Sequence, residues 1–488
     1  MIRISGQNQF QRSCHLRIWS RSLFLSALIL GGCTVGPKYV RPTAEVPTSY
    51  KEAGDWKTAE PSDTISKGKW WEIYQDAQLN ALEDKISVSN QSLKVAQAQF
   101  QEARAAVRIA RSALFPNVTG GVSLNQFHQS SNRPLFNSSS PVNYSDTQIP
   151  FDASYEADVW GRVRRTVEAS RSEAQASAAD LANVELSLRA ELALDYFQLR
   201  GLDAQKQLLD STVVSFQKAF ELTNSRYTGG VASAVDVAQA QTILETTRAQ
   251  DIDLGVQRAA FEHAIAVLIG KPASEFSLQP TPLTVPPPSL PAELPSQLLE
   301  RRPDIAAAER RVQEANAQIG VARAAYFPLI TLSGAGGFES AVITTLIQGP
   351  SGFWSLGGAA VETIFDAGRR RGVTQQALAA YDQNVATYRQ TVLSAFQDVE
   401  DNLAALRILQ DEAQVENAAV ASAEHSVALS VNRYKGGIAN YLEVTTAQSA
   451  ALADEVTAVN ILTRRMTASV LLIKAIGGGW NVSQIPRV

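Results

Sequence analysis

The chain has 488 residues, a formal net charge of −4 and 19% charged residues. That length allows several domains, and the weak acidic balance excludes the electrostatic footprint of a nucleic-acid binder. Aromatic residues make up only 7%, while Ala, Gln and Ser crowd the helical stretches, which suits long, thin helical packing better than one thick core.

Residues 1–32 hold Arg3, Arg12, Arg17 and Arg21, no acids, and an apolar run from Leu23 to Leu30. This is the pattern of an export signal, and the run is too short for a mature membrane span. It ends in Leu30-Gly31-Gly32-Cys33, which resembles a lipobox; the resemblance implies cleavage before Cys33 and a covalent lipid on it. Cys14 would leave with the signal, so no thiol remains for a disulfide, a metal or a nucleophile. No later apolar run approaches 18 residues, so a mature chain that crosses a membrane is expected to do so as a closed barrel.

Residues 33–78 read as a lipidated tether and collar segment, with Trp70-Trp71 opening the folded part. Residues 79–116 read as one helix, with Leu79, Leu82, Ile86, Leu93, Phe100 and Val107 at helical spacing and Pro116 as the stop. Residues 117–160 change period. From Phe151 to Val159 apolar and polar residues alternate, placing Asp152, Ser154, Glu156 and Asp158 on one face and Phe151, Ala153, Tyr155 and Val159 on the other. An outer-membrane barrel strand and an ordinary half-buried hairpin share this pattern. Residues 161–270 carry no proline and predict a long helical hairpin, its first arm about 100 Å long at 1.5 Å per residue. Leu209, Val213, Phe216, Phe220, Thr223 and Tyr227 are spaced as a heptad, the signature of left-handed coiled-coil packing.

Residues 271–303 hold nine of the twenty prolines and form an extended linker between two halves. The second half then repeats the first: a helix over 304–328, a β-hairpin over 329–367, a long helical hairpin over 368–476 and a tail over 477–488. The plainest duplicate is Arg226-Tyr227-Thr228-Gly229-Gly230-Val231-Ala232, which returns 207 positions later as Arg433-Tyr434-Lys435-Gly436-Gly437-Ile438-Ala439. Each copy closes one long helix and opens another, so each is a tip, with paired glycines free to take positive φ. Two strands per half give four per chain, too few to close a barrel alone; three copies would supply twelve.

Six features in order carry a family resemblance: the lipobox, Gly36-Pro37-Lys38-Tyr39-Val40-Arg41-Pro42, Trp70-Trp71, Arg301-Arg302-Pro303-Asp304-Ile305, Phe365-Asp366-Ala367-Gly368-Arg369 and Gly477-Gly478-Gly479-Trp480. Together they resemble the TolC-like outer-membrane efflux channels, in the lipoprotein branch paired with resistance–nodulation–division pumps. The resemblance spans essentially the whole mature chain. It implies an α+β membrane protein: a homotrimer whose twelve-stranded β-barrel, four strands per chain, sits in the Gram-negative outer membrane, continuous with a periplasmic coiled-coil tunnel. It further implies passive export of drugs or other toxic compounds, a gate at the periplasmic tips, and a periplasmic adaptor and inner-membrane pump as partners. One departure is Glu362-Thr363, read here as strand residues where the family more often has an apolar residue and Pro.

The expected sites follow. Asp236 and Glu443 match the family's acids near the constriction and would gate it; as first-turn acids they would equally stabilise a helix N-terminus. Gly229, Gly230, Val231, Ala232, Gly436, Gly437, Ile438 and Ala439 would form adaptor-contact tips. Asp152, Ser154, Glu156 and Asp158 would line the pore. No catalytic residue, metal site or cofactor beyond the lipid on Cys33 is expected, because His128, His263 and His425 lie far apart in unlike contexts. Two rival readings stay open: the same channel serving a protein-secretion or ABC-type exporter, and a structural trimeric coiled coil without a conduit.

Overall fold

Two helices of equal length organise the chain. The computed structural model describes residues 34–53, 68–135, 137, 139, 141–288 and 299–488. The expected signal segment, Cys33 and part of the proline-rich linker therefore lie outside the described residues. The elements, in order, are α1 (Ala77–Ser89), α2 (Gln91–Ser112), β1 (Asn117–Gly120), β2 (Ser123–His128), β3 (Asn143–Glu156), α3 (Arg162–Thr228), α4 (Ala234–Leu268), α5 (Pro303–Ala324), β4 (Leu329–Ser340), β5 (Gly352–Val361), α6 (Arg369–Lys435) and α7 (Tyr441–Ala475). Helices α3 and α6 have 67 residues each, and their partners α4 and α7 have 35 each. At 1.5 Å per residue the longer arms run about 100 Å. The duplication thus holds to the residue in the helical hairpins.

The helix over 79–116 is in fact two. Asn90 takes an extended backbone (φ −64°, ψ 125°), accepts from Leu93 N at 2.8 Å and donates Nδ2 to Leu268 O at 2.7 Å. A buried asparagine that satisfies the end of α4 and caps α2 breaks a helix that periodicity alone would continue. The expected tether is likewise no free leash. Val35 N donates to Trp160 O, Arg165 Nη2 to Pro37 O, and Asn316 Nδ2 to Pro37 O. Further along, Tyr50 is buried near Phe396, and the Glu400 carboxylate accepts from both Lys51 N and Glu52 N. The segment straps the α3–α5 pair to α6.

The main core gathers where strap, helices and linker cross. Trp70, Trp71, Leu79, Tyr196, Ile305, Tyr388 and Ile473 share one buried cluster, and α3 packs along α4 and α5 while α6 packs along α5 and α7. Helix α7 holds an 18-residue window of mean hydropathy 1.3, long and apolar enough to cross a membrane by composition, where the sequence reading expected none. Of that window 44% is buried against the chain, and α7 lies along α6 as one arm of a hairpin.

The strands form one antiparallel sheet. β1 and β2 pair with β3 in a single register, Gly120 opposite Phe151 and Ser123 opposite Gln148; β3 pairs with β4 and β4 with β5. The gap between β1 and β2 faces Pro150, which has no N–H for the ladder, though Gly121 N still donates to Pro150 O at 3.1 Å. Functionally the sheet has four strands, open at the β1/β2 edge and at the β5 edge. β5 stops at Val361, so Glu362 and Thr363 follow the strand and are exposed, contrary to the sequence reading.

Candidate channel face and helical tips

Residues directly opposite in an antiparallel pair point to the same face, so the register sorts every strand position. One face collects Val118, Leu124, Phe151, Leu332, Trp354 and Leu356. These large side chains are exposed in the single chain, Trp354 at 79% and Leu356 at 81%. The other face collects Ser123, Asp146, Gln148, Asp152, Ser154, Glu156 and Glu339. No Lys or Arg occurs in any of the five strands. A contiguous exposed apolar face this large marks contact with lipid or protein.

Three of the four expected pore residues, Asp152, Ser154 and Glu156, lie together on the polar face. Asp158 does not. The strand ends at Glu156, and the Asp158 carboxylate turns back to accept from Val163 N at 3.0 Å and Arg164 N at 2.9 Å, with Arg164 Nε also within 3.1 Å. It satisfies orphan amides at the start of α3, where a negative charge also suits the helix dipole. Asp366 does the same for α6 through Gly368 N and Arg370 N. Glu156 is not a free carboxylate either, since Arg162 Nε donates to it at 2.8 Å. Asp146 and Glu339 join the polar face though the sequence reading passed over them. Glu339 beside Phe338 and the even spacing from Asp146 to Asp152 were the available signals, but they needed the register to align them.

At the tips the duplicated turns share one geometry. Val231 N donates to Arg226 O and Gly230 N to Tyr227 O; Ile438 N donates to Arg433 O and Gly437 N to Tyr434 O. This crossed pair of bonds is a Schellman cap. Only the second glycine of each pair needs its freedom: Gly230 and Gly437 have φ of +74° and +73°, whereas Gly229 and Gly436 are right-handed helical, a correction to the expectation for both pairs. Val231 and Ile438 are exposed at the turns.

The acids beyond the turns differ. Asp236 closes a capping box with Ser233, each side chain bonded to the other's backbone amide. Glu443 N is capped by Asn440 Oδ1, but its carboxylate instead meets Arg433 Nε at 3.0 Å. Arg226, the duplicate of Arg433, points elsewhere. Its guanidinium lies 4.8 Å above the Tyr434 ring and donates to Lys435 O at 3.2 Å, joining tip one to tip two. Tyr434, Tyr441, Val444 and Ala240 form a small buried cluster there. Tyr434 is 6% exposed while its duplicate Tyr227 is 47% exposed. No group of three or more potential metal ligands occurs among the described residues.

Comparison with known proteins fits this geometry. The family model described as "Outer membrane efflux protein" matches residues 82–271 and 294–478, both halves of the duplication. The outer membrane protein OprJ of Pseudomonas aeruginosa is 33% identical over 463 residues, covering 94% of this chain and 96% of that protein. The toluene efflux pump outer membrane protein TtgF of Pseudomonas putida is 33% identical over 477 residues, covering 94% and 97%. Among solved structures, the outer-membrane channel OprN superposes with a TM-score of 0.86 at 28% identity, over 92% of this chain and all of that one. The duplicated helical hairpins, the two-faced sheet and these matches place the chain in the outer membrane efflux protein family.

Proposed function

We propose that three copies of the chain close a twelve-stranded barrel and a helical tunnel that together form the outer-membrane exit duct of a tripartite efflux system. The observation that carries this is the sheet: four strands, two open edges, one face apolar over its helix-proximal part and one acidic face. Open edges must be paired or closed in a membrane, and joining the β5 edge of one copy to the β1/β2 edge of the next removes all of them. The apolar faces then meet lipid and the polar faces line water. Helices about 100 Å long would carry the same lumen into the periplasm, ending in six tips of two kinds. A lipid on Cys33 would hold the start of the strap at the membrane, consistent with Thr34 packing against Gly161 at the base of the sheet.

The cargo is small molecules of the kind a drug or solvent pump expels, since the relatives are named for such pumps. A periplasmic adaptor docks on the exposed tip residues Gly229 to Ala232 and Gly436 to Ala439, and an inner-membrane pump of the resistance–nodulation–division type feeds the duct. Asp236 and Glu443 sit just above the turns, where threefold symmetry would make two carboxylate rings. Their capping and ion-pair bonds are compatible with gating, because each bond stiffens the tip that must move.

Planar-bilayer recording on the purified lipidated protein tests the duct: single-channel steps are expected, and their absence ends the conduit reading. Asp236→Asn with Glu443→Gln keeps side-chain size and removes charge, and is expected to raise resting conductance at normal trimer levels. Unchanged conductance would leave Asp236 as a helix cap and Glu443 as the ion-pair partner of Arg433 alone.

A further inference from the structure

The polar face of the sheet is interrupted near its helix-distal end by two aromatic rings. Phe127 and Tyr144 are direct partners across β2 and β3, stacked at 5.1 Å between centroids with planes 29° apart. Parity puts them on the face of Asp146 and Asp152, opposite Phe151 and Trp354. Aromatic girdles of membrane barrels face lipid, so a girdle does not account for this pair. The rings are held in place: Gln129 Nε2 donates to the Tyr144 hydroxyl at 2.9 Å, and Gln129 N donates to Val142 O at 2.7 Å. Phe127 remains 40% exposed.

Next along the same face, about 7 Å from Tyr144 at two residues of strand rise, stands Asp146. Its carboxylate accepts from Gln148 Nε2 at 2.8 Å, and it forms no ion pair among the described residues. Opposite Gln148 stands Glu339. A ring face carries negative potential and attracts cations, and a carboxylate one step away adds net charge of the same preference. A neutral aromatic molecule would gain only the stack, and an anion would be repelled by both groups.

From this juxtaposition we infer that Phe127, Tyr144 and Asp146 form a subsite for organic cations bearing an aromatic ring, near the outer mouth of the duct and repeated in each copy. The inference rests on the duct reading, because only in the closed barrel does this face line the path of the cargo. Weak binding at such a point favours exit of cationic aromatic compounds, and several weak sites let cargo leave as well as enter.

The test uses single-channel currents of the full lipidated trimer, with phenyltrimethylammonium as the aromatic cation and benzenesulfonate as an aromatic anion of similar size. Phenyltrimethylammonium is expected to reduce the current and benzenesulfonate to leave it unchanged. Phe127→Ser with Tyr144→Ser should raise the half-blocking concentration about tenfold. Asp146→Asn alone, which leaves the stack and the hairpin intact, should raise it by a smaller factor. Heat-resistant trimers on gels would certify both variants. Equal block in wild type and in either variant, or equal block by the anion, overturns the subsite while leaving the duct standing. Absence of any current removes both.

Discussion

Glu314 on α5 shows how one side chain can tie stability to pH. Burial first, and the Glu173 carboxylate of α3 second, push its carboxyl from the ordinary 4.5 up to about 7, with Arg311 and Gln318 pulling the other way. Arg311 is itself engaged by Asp180 of α3. The duplicate positions in the other half are Glu102 and Ala380, so this acid pair has no copy. The folded chain holds a proton here that the unfolded chain releases near 4.5, so stability falls as pH rises from about 4.5 to about 7 and stays low above that. Glu314→Gln keeps the hydrogen-bonding shape without the charge. It is expected to raise the melting temperature at pH 8 and to leave that at pH 4 nearly unchanged, as read by circular dichroism. Asp195, pushed up to about 7 by burial and by Glu191, adds a slope of the same sign, so the informative quantity is the difference between variant and wild type. Parallel melting curves across pH would remove Glu314 as a source.

Between elements, the closest approach in the sheet belongs to β3 and β4. A Cβ added at Gly337 would lie 2.1 Å from Ile149 O, whereas one added at Gly336 meets nothing nearer than 3.6 Å. Gly337→Ala must therefore push backbone from backbone beside Pro150, where the ladder already lacks a donor. It is expected to abolish heat-resistant trimers in the membrane fraction, while Gly336→Ala assembles normally; the reverse order on the same gel would refute the register. Much of this level was legible in the sequence. Long proline-free runs, paired glycines and strict alternation report backbone preferences that act locally, and α3, α4, α6, α7 and β3 follow them. What escaped depends on distant partners. Asn90 breaks a helix because Leu268 O needs a donor, and Asp158 leaves the strand because the amides at the start of α3 claim its carboxylate. Phe127 gains meaning only beside Tyr144. Alternation located Asp152, Ser154 and Glu156 correctly, since a pleated strand needs no partner to set which side chains share a face.

In the whole molecule, the two halves are equal in length and unequal in bonding, and the inequality sits at the tips. Tip one reaches across to tip two of its own chain through Arg226, over the Tyr434 ring and onto Lys435 O. Tip two folds its arginine back onto Glu443 of its own hairpin. That second pair is exposed, and an exposed ion pair contributes about 0–1 kcal/mol. The first joint covers a buried cluster and holds two hairpins together, so its loss frees a relative motion that the other does not. In the proposed trimer, tip pairs would be firm within a chain and looser between chains, where the Tyr227 ring is exposed in the single chain. Arg226→Ala is therefore expected to increase resting leak several-fold more than Arg433→Ala, measured as bilayer conductance and as entry of a large antibiotic that the intact outer membrane excludes, each at matched trimer levels. Equal leak from the two variants would mean that the joints share the load and that the asymmetry of the single chain is lost on assembly. A larger leak from Arg433→Ala would instead assign the resting seal to contacts between chains, with Glu443 positioning the arginine for a neighbour.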